Sequence, residues 1–267
     1  MRRNLPRGWL LPAILSILCT PSTGIAPAFP LRIPALSLRV RGGGQGGGEK
    51  FFDVVKKGGA DAFSDVAYWD RFHSLHGDEP FEWYAAWDEV APVVTEQKPP
   101  AGRVRVLVPG CGDSAMCADM LDTGYDHVTG IDLSRLAIER CQKLYPPSDN
   151  LEWAVEDIRN MSFCDGTFDL IVDKGTLDAL TTDEGVRAYN SACLSLAEMT
   201  RVLSPGGMLV CISLLQPCVL RPLLSFFLQD HGEEGGPSWL VDLCVLRPQG
   251  RTKRHLPFAV CCSQTKG

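Results

Sequence analysis

From residue 103 onward, short apolar runs alternate with amphipathic stretches. This alternation constrains the fold more than any other feature of the chain. Arg103-Val-Arg-Val-Leu-Val108, His127-Val-Thr-Gly-Ile-Asp132, Leu151 to Val155, Phe168-Asp-Leu-Ile-Val-Asp173 and Met208 to Ser213 read as strands. Ser114 to Leu121, Ser134 to Leu144 and Asp183 to Leu203 read as the helices between them, and Pro222 to Gln229 as a further one. Asp113 or Ser114 is the expected cap of the first helix and Ser134 of the second. Pro146-Pro147 stops the second, and Pro205-Gly206-Gly207 ends the third. Such a repeat implies a parallel sheet with helices on both faces. Trp239 to Leu246 and Leu256 to Cys262 read as two last strands. The linker between them, Arg247 to His255, is too short for a crossover helix, so this pair is expected to be antiparallel. The predicted fold class is therefore α/β, with a Rossmann-like seven-stranded, mostly parallel sheet.

Charge divides the chain differently. The net −6 hides six arginines and no acid in residues 1–48; the remaining 20 basic and 32 acidic residues give −12 for residues 49–267. An acidic body argues against stable nucleic-acid binding, which needs a surplus of Lys and Arg. The head reads as an address. Arg2, Arg3 and Arg7 precede an apolar run, Trp9 to Cys19, that is shorter than the ~20 residues a membrane span needs. An acid-free, Arg- and Ser-containing stretch follows, and Gly42 to Gly48 is a flexible linker. A signal-like segment before a transit-like one resembles the bipartite plastid leader of algae with complex plastids. Mitochondrial import, secretion and a cytoplasmic protein with a misassigned start are the alternatives. Residues 1–48 are expected to be disordered or removed. Residues 49–267 are expected to form one domain, with segment 51–100 covering the cofactor and a core over 103–267 that carries no transmembrane segment. The 11 cysteines include no CxxC pair and sit mostly in apolar runs, as buried free thiols do.

Gly110-Cys111-Gly112 follows the first strand and opens a helix, an arrangement that lets backbone approach a ligand beside free helix N–H donors. Asp132 ends the second strand 22 residues after Gly110, where an acid accepts from ribose hydroxyls. Gly110-x-Gly112-x-x-Ala115 also satisfies a relaxed dinucleotide pattern, and a plain turn is the bland alternative. Three features favour S-adenosylmethionine over NAD. Glu156-Asp157 follows the third strand, placed to accept from an adenine amino group. A polar loop, Asp173-Lys-Gly-Thr-Leu-Asp178, follows the fourth. The sheet ends antiparallel, with no room for a separate substrate domain.

The chain from about Tyr68 to Cys262 resembles class I S-adenosylmethionine-dependent methyltransferases. Within them it resembles the methyltransferase-like group that includes translation elongation factor 1-alpha lysine methyltransferases and citrate synthase-lysine methyltransferase. The segments that carry the resemblance are Tyr68-Trp-Asp-Arg-Phe-His73, Pro80-Phe-Glu-Trp-Tyr84, Val106-Leu-Val-Pro-Gly-Cys-Gly112, Asp169 to Leu180, and Arg201-Val-Leu-Ser-Pro-Gly-Gly207. The resemblance implies that Trp69 and Trp83 wall the cofactor, and that the loop Gly110, Cys111 and Gly112 receives its methionine end. It implies that Asp132 takes the ribose with Leu133 beside the adenine, that Asp157 and Ile158 hold the adenine, and that Lys174 sits at the cofactor's edge. His73 stands where relatives carry an aromatic. Val108-Pro109 stands where many class I enzymes carry an acid, so help for the methionine amine must come from elsewhere.

The reaction so implied is methylation of a protein lysine or N-terminal amine, with a translation factor or another lysine-bearing protein as partner. Asp173 and Asp178, on the loop beside the expected methyl, are the candidates for orienting the amine. A small-molecule or lipid methyltransferase, and a non-catalytic cofactor-binding interaction module, are the competing functions. No metal is expected: His73 and His76 lie at i, i+3 but no third ligand is evident. Arg247, Arg251, Lys253, Arg254 and His255 form a basic cluster, read as a solvated hairpin loop or as a dock for an acidic protein face or RNA.

Overall fold

A computed structural model describes residues 65–75, 80–96, 102–182, 184–228, 239–246 and 257–264. The leader, His76 and the basic cluster at 247–255 lie outside the described residues. Two helices precede the sheet, α1 (Val66–Leu75) and α2 (Trp87–Glu96). The core then runs β1 (Arg105–Pro109), α3 (Met116–Asp122), β2 (His127–Asp132), α4 (Arg135–Leu144), β3 (Leu151–Val155), β4 (Phe168–Lys174), α5 (Thr176–Leu180), α6 (Val186–Val202), β5 (Leu203–Ser213), α7 (Pro217–Leu228), β6 (Trp239–Val245) and β7 (Phe258–Gln264).

The strand order is β3-β2-β1-β4-β5-β7-β6. The first five strands pair in parallel, while β7 runs antiparallel to both β5 and β6, as the short final linker requires. Side chains alternate across the sheet, and both faces are apolar because helices cover both. Val106, Val108, Val210, Ile212 and Cys261 enter one core beneath α2, α3 and α4. Leu107, Leu209, Cys211, Val260 and Cys262 enter the other with α6 and α7. Ten cysteines are described; all are free thiols, and six of these, including Cys111 and Cys141, are buried. Among the described residues no helix is long and apolar enough to cross a membrane.

Element boundaries differ from the sequence reading in several places; β1 and β7, for example, each start two residues later than read. Helix α3 starts at Met116, and neither Asp113 nor Ser114 is its N-cap residue; Ala115 occupies that position without a side-chain bond of its own. Helix α6 starts at Val186 after Gly185, not at Asp183. Strand β5 absorbs the Pro-Gly-Gly stretch through an irregular register between Phe168 and Leu170. Helix α7 starts at Pro217, with Pro222 inside it and buried. Pro217 suits a first helical position, whereas Pro222 removes an N–H from the helix interior. Ser134 caps α4 as expected, accepting from the Ala137 amide at 3.2 Å.

Candidate cofactor and substrate site

The strand order reverses direction at the junction of β1 and β4, which is where open α/β sheets bind ligands at their carboxyl edge. The loop after β1 begins with Gly110 at φ +57°. A Cβ on Gly110 would lie 2.1 Å from Thr176 Oγ1, and that hydroxyl donates to Pro109 O at 2.9 Å. The side chain Gly110 lacks thus makes room for the β4–α5 turn. Gly112, at φ +55°, has only His73 Cε1 near its Cβ position, at 3.8 Å. Cys111 is buried, with its side chain against Cys141.

Asp132 closes β2. Its Oδ2 accepts from the Gly112 amide at 2.9 Å and its Oδ1 from the Ser134 amide at 2.8 Å. Burial lifts its pKa to about 6 against those two N–H bonds. A carboxylate offers about four lone-pair sites, so two remain for a diol. Leu133 is half-buried beside it. Beyond β3, Ile158 is buried, and Asp157 is gripped by Arg159 at 2.7 Å and 2.9 Å. The guanidinium holds the Asp157 carboxyl below its ordinary range, so an adenine amino group would share this carboxylate with Arg159.

The N-terminal helices carry an aromatic wall to the same edge. Trp69 and Trp83 meet edge to face at 6.3 Å, and Trp83 stacks on Phe72 and abuts Phe81. Helix α1 is fastened by Ser134 Oγ donating to Asp70 at 2.6 Å. His73 is buried, with Nδ1 3.9 Å from Asp113, whose other oxygen accepts from Arg140 Nε at 3.1 Å. His73 therefore adjoins the glycine loop through Gly112 and Asp113.

Two residues that the sequence reading passed over complete the edge. Glu82 accepts from Ser114 Oγ, from the Ala115 amide and from Lys174 Nζ, each at 2.8 Å. Tyr84 sits at φ +62°, and its ring approaches Gly175 so closely that a Cβ there would lie 2.9 Å from it. Both lie in the Phe-Glu-Trp-Tyr run, where a charged and a phenolic residue flanking Trp83 were the available signal. Behind Tyr84 lie Asp173 and Asp178. Asp173 is fully buried; Oδ1 accepts from the Thr176 amide at 3.1 Å, and Oδ2 has no hydrogen-bond partner among the described residues. Asp178 Oδ1 accepts from the Leu214 amide at 3.2 Å, and its Oδ2 is likewise buried without a partner. Burial, and for Asp173 the neighbouring Asp178, raise the two carboxyls to about 7 and about 6.

Residues 107–211 match the family model of the methyltransferase domain. The chain is 35% identical over 180 residues to the eEF1A lysine and N-terminal methyltransferase of Bos taurus, covering 67% of this chain and 24% of that protein. It is 30% identical over 165 residues to EEF1A lysine methyltransferase 4 of Mus musculus, covering 58% of this chain and 63% of that protein. The chain carries an S-adenosylmethionine-dependent methyltransferase domain. It spans about a quarter of the length of the bovine relative. A solved structure concerned with conversion of a disulfide bond into a thioacetal group during echinomycin biosynthesis shares the fold. Its TM-score is 0.52 at 16% identity, covering 75% of this chain and 92% of that one.

The residues of this domain fit the cofactor by their chemistry. Asp132 keeps two acceptor sites, and a Cβ on Gly112 would meet only the His73 ring within 4 Å. Lys174 donates to Glu82 and to Trp83 O, which leaves one of its three N–H donors.

Proposed function

We propose that this chain methylates a protein amine, a lysine side chain or an N-terminal amine, with S-adenosylmethionine as methyl donor. The observation that carries the reading is the pair Asp173 and Asp178. Two buried carboxylate oxygens with no hydrogen-bond partner among the described residues stand at the carboxyl end of β4, beside Tyr84 and on the turn that Thr176 ties to the glycine loop. A protonated amine supplies the donors such oxygens lack, and it must lose a proton before it is nucleophilic. A carboxyl pair raised to about 7 and about 6 is placed to take that proton near neutrality. When bound, the cofactor supplies an electrophilic methyl group on a sulfonium. The chain's part is to hold the ribose with Asp132, keep water out with Trp69 and Trp83, and aim the amine.

The curated relatives are named for eEF1A lysine methylation. A lysine-bearing translation factor is therefore the substrate class we favour over nucleic acid, in keeping with the −12 of residues 49–267. Incubation with labelled cofactor and a cell extract tests the reading; label is expected in protein. Label confined to the organic-soluble fraction would point to a small-molecule enzyme instead. Asp173→Ala and Asp178→Ala are expected to lose turnover while cofactor binding, measured separately, persists. Unchanged turnover in both would remove them from the reaction. We read residues 1–48 as a plastid address; a reporter fused to them, expressed in an alga with complex plastids, should enter that organelle.

A further inference from the structure

Lys174 is 6% exposed in its side chain, and a buried ammonium needs a fixed counter-charge. Glu82 provides it from 92 residues earlier in the chain. The same carboxylate closes the N-terminus of α3. Ser114 Oγ donates to both Glu82 oxygens and the Ala115 amide donates to Oε1, while Ser114 Oγ itself accepts from the Met116 amide at 3.1 Å. Ser114 has one hydroxyl proton to share between the two oxygens, so three donors, Ser114, Ala115 and Lys174, engage both oxygens of the carboxylate. Both Glu82 oxygens are thus engaged by donors of the chain itself. Lys174 has one donor left, because its two acceptors among the described residues are Glu82 and the Trp83 carbonyl at 3.2 Å. One side chain thus links the glycine loop's helix, the β4 terminus and the segment that carries Trp83.

We propose that Glu82 is a positioning residue for cofactor binding: it makes no contact with the cofactor and acts through Lys174 and Trp83, which it fixes at the carboxyl edge. This rests on the reading of that edge as the cofactor site. Glu82 does not replace the acid absent at Val108-Pro109: its work is to aim the ammonium of Lys174, not to receive the amine of the ligand.

Glu82→Gln separates the two duties of the carboxylate. The amide oxygen still accepts from Ser114 and Ala115, while the amide NH2 cannot accept from Lys174. Titration calorimetry with S-adenosylhomocysteine is the readout, on the full chain, with melting temperature recorded alongside. E82Q and K174M should each weaken binding about 10- to 100-fold, the loss of one charge-assisted bond. The double variant should be no weaker than the poorer single, because both break one link. E82Q should also raise the KM for S-adenosylmethionine by a similar factor, as expected of a residue whose effect falls on binding. E82Q affinity within about twofold of wild type, or additive losses in the double variant, would overturn the proposal. So would a lowered melting temperature with affinity kept, which marks a fastener of the fold alone. A wild-type protein that binds no S-adenosylhomocysteine fails at the cofactor reading itself, and the proposal falls with it.

Discussion

Burial of Asp173 should leave its mark on stability. Its folded pKa of about 7 stands far above that of an exposed Asp, so the folded chain holds a proton that the unfolded chain releases. Stability from this group is present in acid and is lost as pH rises toward about 7. Asp173→Asn keeps an acceptor for the Thr176 amide and removes the charge. Its melting temperature relative to wild type is therefore expected to rise as pH goes from about 5 to about 8. A difference flat across that interval would mean that Asp173 is already ionised when folded. Gly110 makes a steric prediction of the same scale. Gly110→Ala combines a left-handed φ with a Cβ forced against Thr176. It should cost about 1–3 kcal/mol for the backbone alone, read as a lower denaturant midpoint.

At the scale of elements, legibility followed the range of the forces involved. Strands β2 and β3 were read to their terminal residues because their apolar runs and flanking polar residues are local. The antiparallel last pair followed from linker length alone. The start of α3 was not legible, because its capping carboxylate is Glu82, 33 residues before Ala115. The start of α7 was misread because Pro222 looks like a first helical residue, yet the apolar surface of Val219, Leu223 and Phe227 carries the helix through it. The candidate site was legible to the same degree. Asp132, Lys174, Trp69 and Trp83 are brought to one edge, but the pairing of Asp157 with Arg159 and the clasp at Glu82 depend on tertiary geometry. Ser134 tests whether α1 is fastened to the core by local chemistry. Its hydroxyl caps α4 and reaches Asp70. Ser134→Ala should lose about 1 kcal/mol from the cap, and more through the freed Asp70 carboxylate, in chemical denaturation. Asp70→Asn should lose less, because the cap survives.

At the scale of the whole molecule, the charge imbalance becomes a statement about encounter. Residues 49–267 carry a net −12, and a field of that sign draws basic surfaces and repels polyanions. The buried carboxyls of Asp173 and Asp178 are shielded from salt, whereas an encounter between surfaces is not, because exposed charges beyond about 10 Å are screened at ~0.1 M salt. Methylation of a lysine-rich protein substrate should therefore show a KM that rises with ionic strength while kcat stays level. If Glu82, Lys174 and Asp132 set S-adenosylhomocysteine affinity inside the edge, as proposed, that affinity should change far less over the same range. Steady-state kinetics at several salt concentrations, with cofactor titration in parallel, read the two separately. A KM indifferent to salt would assign substrate capture to shape at the mouth of the site, and the acidity of the body would then have no part in choosing the partner.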